Sequence, residues 1–127
     1  MKNQIVTHNA PAAIGPYSQA IHISNMIFVS GQLPIDPVSG IMASDVASQT
    51  RQSLQNIKAI LTQANCSMDN VVKTTVFLSN MDDFSAMNNI YEQFFSSPYP
   101  ARAAVEVARL PKNALVEIEA IAAYTQP

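Results

Sequence analysis

Arg102 stands between the turn-forming segment Tyr99-Pro100-Ala101 and the apolar run A-A-V-E-V. A guanidinium held at a strand entrance, with Pro100 restricting the chain before it, can grip a carboxylate through two parallel hydrogen bonds. Each such charge-assisted bond contributes about 1.5–3 kcal/mol. A structural ion pair with one of the glutamates is the other use of the same group. Glu117 and Glu119 lie in L-V-E-I-E-A-I-A, where strand alternation sets both on one face with Leu115 and Ile121, roughly 7 Å apart. In a water-poor cleft a glutamate can hold a water or carry a proton, with general acid–base gains of roughly 10²–10⁴. The alternative is a solvent-facing strand, which the neighbouring Val116, Ile118, Ala120 and Ile121 argue against by making the strand look central.

Gly31 ends the run M-I-F-V-S-G and, lacking a Cβ, can offer unhindered backbone to a ligand or simply make a turn. Gly15-Pro16-Tyr17 is a rigid bend presenting an aromatic ring with a polar tip, or else a core tyrosine. His8 and His22 have no H-x-H or H-E-x-x-H partner, so no metal is expected. There is no G-x-G-x-x-G, no G-x-x-x-x-G-K-[ST] and no G-x-S-x-G, which removes the common dinucleotide, nucleotide and serine-hydrolase patterns. Cys66 has no activating base close in sequence and is expected to be a structural thiol.

The elements that must position these groups follow from periodicity. A short strand is expected near Ile5 to Thr7, then loop chemistry from Pro11 to Pro16 that becomes extended toward Ile23. Met26 to Ser30 reads as a buried strand and Pro34 to Gly40 as a turn. From a cap at Ser44 or Asp45, Val46, Thr50, Leu54, Ile57, Leu61 and Ala64 recur at helical spacing. The β-branched run Val71 to Leu78 predicts a strand. Asp82 or Asp83 is expected to cap a second helix with Phe84, Met87, Tyr91 and Phe94 on one face, ended by Y-P-A-R. Strands from Ala103 to Val107 and from Leu115 to Tyr124 close the chain. The order β-β-β-α-β-α-β-β predicts a mixed α+β sheet with both helices on one face, the other face being left to self-association. Clefts at such interfaces are common ligand sites.

Composition narrows the classes. The 127 residues fit one domain, residues 1–127, with a net charge of -2 and one cysteine. Lys2, Arg51, Lys58, Lys73, Arg102, Arg109 and Lys112 are scattered, so no basic stripe awaits nucleic acid. A lone cysteine excludes an internal disulfide and suits a reducing compartment, so a cytoplasmic address is expected. No apolar run approaches the ~20 residues of a membrane helix, and no export or membrane insertion is expected. Charged residues are only 13% and hydrophobic ones 48%, which predicts that part of the surface is buried against partner subunits.

The segments A-P-A-A-I-G-P-Y-S-Q-A, M-I-F-V-S-G-Q-L-P, Y-P-A-R-A-A-V-E-V-A-R-L-P-K and V-E-I-E-A-I-A together resemble the RidA family, also called YjgF or L-PSP, from about Thr7 to Ala122. The resemblance implies a chorismate-mutase-like α+β fold, a homotrimer with clefts between adjacent subunits, and no cofactor. It implies hydrolysis of 2-imino acids, the tautomers of enamines released by pyridoxal-phosphate-dependent dehydratases, to 2-keto acids and ammonia. It assigns Arg102 to the substrate carboxylate and Glu117 to water orientation and proton handling. Tyr17, Ser30, Gly31 and Asn88 correspond to residues that line the cleft. Ala104 stands where the family often has cysteine, so its backbone N–H but no thiol is offered to a carboxylate. Two other functions remain open at this stage: a non-catalytic module binding keto acids, which needs Arg102 but not Glu117, and an endoribonuclease, which the acidic balance and the lack of paired histidines disfavour.

Overall fold

In the computed structural model, which describes residues 1–124, the chain forms β1 (Asn3–Ile5), β2 (Ala20–Ile23), β3 (Met26–Gln32), α1 (Val46–Gln63), β4 (Val71–Leu78), α2 (Phe84–Tyr91), β5 (Ala101–Glu106) and β6 (Val116–Ala123). The predicted element order holds. The strands make a six-stranded sheet in the order β1-β2-β3-β6-β4-β5. Only β4 and β5 run parallel, joined by the α2 crossover; the other neighbours are antiparallel.

α1 begins where Asp45 accepts a hydrogen bond from Ser48 N at 2.9 Å, which makes Asp45 rather than Ser44 the cap. It ends at Asn65 in the left-handed region, φ 60°, with Cys66 N donating to Leu61 O and Asn65 N to Thr62 O. This Schellman arrangement satisfies the last carbonyls. Its predicted row of Val46, Thr50, Leu54, Ile57, Leu61 and Ala64 is buried throughout, each large aliphatic member contributing roughly 1.5–3 kcal/mol. α1 packs on β3, β6 and α2.

Several boundaries differ from the sequence expectation. The first strand lies at Asn3–Ile5 because Thr7 turns inward, its backbone N–H donating to the buried Gln19 side chain at 2.8 Å. The second helix is preceded by a 3-10 turn at Met81–Asp83, so the capping side chain is Asn80, which accepts from Asp82 N, and Asp83 makes no side-chain cap. α2 also ends at Tyr91, ahead of Y-P-A-R, its last carbonyls being taken by the N–H groups of Glu92, Gln93 and Phe94. β5 starts at Ala101, which puts Arg102 inside the strand.

Alternation divides the sheet cleanly. Val76, Leu78, Val116, Ile118, Ala120 and Ala122 are buried beneath the helices. The opposite face carries Ile23, Phe28 and Val105, which are 41%, 45% and 42% exposed, together with Phe77, Ile121, Glu117 and Glu119. The helices cover one face only, as the element order predicts. No helix among the described residues is long and apolar enough to cross a membrane.

Candidate functional site

The candidate residues gather at two places rather than one. The first is the junction of β5 with α2. Arg102 is opposite Thr74 of β4, and Thr74 is buried on the helix side of the sheet, so the guanidinium rises on that side. Its Nη1 donates to Asn88 Oδ1 at 2.7 Å, and its Cζ lies 4.8 Å from the Tyr91 ring centroid and 5.4 Å from that of Phe84. The side-chain partner is therefore a neutral amide, not the glutamate of a structural ion pair. A cavity of about 450 Å³ opens here, lined by Asn88, Tyr91, Glu92, Tyr99, Pro100 and Arg102. β5 is the edge of the sheet. Val107 N donates inward to Leu78 O at 2.8 Å, and because alternate residues turn their N–H groups to opposite sides, the Ala104 N–H faces the free edge. An arginine and an open backbone donor two residues away suit a carboxylate ligand.

The second place is the end of β3 beside β6. The β3–β6 register slips by one residue between Val29 and Gln32, a bulge that interrupts alternation at Ser30 and Gly31. Ser30 is tied back to the preceding loop: its N–H donates to Gln19 O at 2.9 Å and its Oγ to Ser18 O at 2.6 Å. Gly31 lets Glu117 approach closely, since a Cβ built there would lie 2.5 Å from Glu117 Oε2 and push the carboxylate away. The carboxylate of Glu117 thus rests directly on the Gly31 backbone. Tyr17, half exposed, shares a recess of about 90 Å³ with Ile14, Gly31, Leu33 and Lys112. Burial pushes the Glu117 carboxyl above the usual carboxylate range, and the Glu119 carboxylate on the same face pushes it the same way. A carboxyl raised in this way is a stronger proton acceptor than an ordinary carboxylate and can return the proton it takes.

Within one chain the two places do not meet. Glu117 is opposite Phe77 and Arg102 opposite Thr74, which places them on opposite faces of the sheet. Two strand spacings and three residues of offset put their Cα atoms about 14 Å apart. The structure brings Arg102, Asn88 and Ala104 together, and separately Tyr17, Ser30, Gly31 and Glu117. Phe84 and Tyr91 beside Arg102, and Lys112 in the Tyr17 recess, escape sequence reasoning. The two aromatics belong to the buried stripe of α2, and only the parallel return of β5 reveals that this stripe also meets Arg102. Burial pushes the Cys66 thiol up, which disfavours the reactive thiolate. Among the described residues no cluster of three or more His, Cys, Asp or Glu could hold a metal ion.

The sequence profile of the family described as Endoribonuclease L-PSP matches residues 7–124. A RutC family protein of Pyrococcus horikoshii is 56% identical over 123 residues, covering 96% of this chain and 98% of that one. The 2-iminobutanoate/2-iminopropanoate deaminase of Salmonella typhimurium is 51% identical over 125 residues, again covering 96% of this chain and 98% of its own. The crystal structure of E. coli TdcF with bound serine matches with a TM-score of 0.93 and 45% identity, over 97% of this chain and 99% of that chain.

Proposed function

Since the chain belongs to the L-PSP family, which includes the RidA and YjgF proteins, we propose that it is a cofactor-free deaminase that hydrolyses small 2-imino acids to 2-keto acids and ammonia in clefts shared by adjacent copies of a cytoplasmic homotrimer. The observation that carries this reading is the placement of its two complementary half-sites. A cationic carboxylate receptor lies at the β5 edge and a proton-handling carboxylate lies on the far face of the sheet. Neither half can process an imino acid alone. An uncovered sheet face bearing Ile23, Phe28 and Val105 supplies the apolar surface by which copies would associate.

Arg102 of one copy anchors the substrate carboxylate and the Ala104 N–H assists. Across the cleft, Glu117 of the neighbour, steadied against Gly31, accepts a proton from a water as its oxygen attacks the C=N carbon. The same carboxyl returns that proton to nitrogen to give the carbinolamine, then carries the carbinolamine's hydroxyl proton to its amino group, so that the C–N bond breaks, ammonia departs and the C=O of the keto acid forms. Imine hydrolysis is already rapid in water, so positioning and one acid–base group suffice. Tyr17 and Ser30 shape the wall on the Glu117 side. The substrates are the imines that pyridoxal-phosphate-dependent dehydratases release, and the chain acts downstream of such enzymes. TdcF was crystallised with serine, a small molecule with a carboxylate and a nitrogen on the same carbon, as in a 2-imino acid.

Subunit complementation tests this reading. Arg102→Ala and Glu117→Ala proteins are each expected to lose deamination, measured as suppression of semicarbazide trapping during threonine dehydratase turnover. When the two are unfolded, mixed in equal amounts and refolded, about one quarter of clefts in a cyclic trimer regain both groups, the product of two one-half chances. Mixed trimers with no recovered activity would sink the shared cleft. The family description also names an endoribonuclease. A net charge of -2 with dispersed lysines and arginines offers no track for a phosphate backbone, and no binding of single-stranded RNA is expected at low salt.

A further inference from the structure

Three side chains of α2 meet Arg102 from a single helix face: Phe84, Asn88 and Tyr91 are spaced four and three residues apart. Asn88 Oδ1 takes one N–H of the guanidinium at 2.7 Å, while Tyr91 and Phe84 lie against the guanidinium at ring-centroid distances of 4.8 and 5.4 Å. Tyr91 is itself held. Its hydroxyl hydrogen-bonds Thr74 Oγ1 at 2.7 Å with both groups buried, and its ring packs on Phe95 at 4.6 Å. Thr74 is the β4 residue opposite Arg102, so the contacts close a loop through strand, helix and back to the strand.

We propose that α2 is a clamp that sets both the pose and the ligand affinity of Arg102, with Asn88 and Tyr91 as positioning residues and the neutrality of Asn88 as the feature that matters. An amide oxygen fixes one edge of the guanidinium without cancelling its charge. The aromatic rings hold its plane, a stacking geometry that guanidinium favours. The remaining edge keeps full charge for a ligand carboxylate, the group next to the imine in the proposed substrates. This deepens the deaminase reading and rests on it in one respect, that Arg102 binds the substrate carboxylate. It also gives Asn88, which lines the cavity, the further task of supporting another side chain, since its oxygen is committed to Arg102.

The test replaces the amide by a carboxylate of nearly the same shape. Asn88→Asp is expected to form an internal ion pair with Arg102 that competes with the ligand. KM for 2-iminobutanoate and the calorimetric Kd for 2-oxobutanoate should rise about tenfold or more, with kcat changed less than about threefold because the reacting carbon is untouched. Asn88→Leu, neutral but unable to bond, should weaken 2-oxobutanoate binding less than Asn88→Asp does. Tyr91→Phe, which keeps the ring and loses the Thr74 bond, should fall between the wild type and Asn88→Asp. Thermal melts and sedimentation establish that each variant is folded and assembled. Wild-type affinity in Asn88→Asp would overturn the clamp, as would equal losses in Asn88→Asp and Asn88→Leu. Failure of the wild type to hydrolyse 2-iminobutanoate would instead overturn the deaminase reading, because 2-oxobutanoate binding reports on the clamp without turnover. Arg102→Ala binding 2-oxobutanoate as the wild type does would overturn the anchor role.

Discussion

Adding one methyl group at Gly31 tests the catalytic geometry most directly. The alanine Cβ would stand 2.5 Å from Glu117 Oε2 and 3.0 Å from its Cδ. Ordinary contact begins near 3.4 Å, so the carboxylate must retreat by about 0.9 Å, which is 3.4 minus 2.5. The backbone tolerates the change, because Gly31 is not among the glycines with positive φ, and Glu117 is a half-buried, flexible side chain that can swing away. Fold and assembly should therefore survive. A displacement near 1 Å at a water-positioning group costs about 100-fold, or ~2.7 kcal/mol of transition-state stabilisation. Gly31→Ala is expected to lower kcat/KM for 2-iminobutanoate by that factor, while the melting temperature and sedimentation coefficient stay near those of the wild type. The loss should also be non-additive: Gly31→Ala in a Glu117→Ala background should add almost nothing, because the methyl acts only through the carboxylate. Wild-type kcat/KM in Gly31→Ala would refute the reasoning. A full additional loss in the double variant would show that Gly31 acts by some other route.

Arg102→Ala should abolish deamination while the sedimentation profile stays unchanged, since the side chain contacts α2 within its own chain; a shifted profile would make its role structural. Glu119→Gln should move the acidic limb of the pH–kcat/KM profile to lower pH. Burial and the Glu119 charge both raise the Glu117 carboxyl, a raised carboxyl loses its proton at higher pH, and removing one raising cause reverses part of that shift. Gln19→Leu should destabilise the fold by at least about 3 kcal/mol, measured as a lower urea midpoint at constant m. The Gln19 side chain is buried and hydrogen-bonds Thr7 N, Thr7 O, Ala10 O and Pro11 O, all of which leucine would strand.

The periodic elements were legible because their patterns are local. The apolar row of α1 specifies a face that the structure buries, the β-branched run of β4 specifies a strand, and the alternation of β6 sets Glu117 and Glu119 on one side and Val116, Ile118 and Ala120 on the other. That Glu117 and Glu119 share a face followed from the two-residue period alone; that it is the face away from the helices needed the sheet. Element ends were less legible. The polar cluster N-M-D-D has several capping side chains, and a 3-10 turn, invisible to helical periodicity, decides among them in favour of Asn80. Contacts across elements were the least legible. Nothing in one dimension places Tyr91 under Arg102, Lys112 beside Tyr17 or Glu117 against Gly31, because each depends on strand order and on the bulge at Ser30 and Gly31. The opposition of Arg102 and Glu117 across the sheet is of the same kind. It needs the parallel register of β5 against β4, which residue spacing does not encode.

In the proposed trimer, a subunit with unlike functional groups on its two sides would associate head to tail, and a closed ring of such subunits would give every copy a share in two reaction chambers. In a ring built this way, a copy defective in only one group spoils a single chamber. A copy lacking both Arg102 and Glu117 spoils the chambers on each side of it. Co-expressed with the intact chain, the doubly defective copy would therefore act as a poison, depressing output beyond its own share of the population. Gene dosage thus becomes a means of reading subunit geometry.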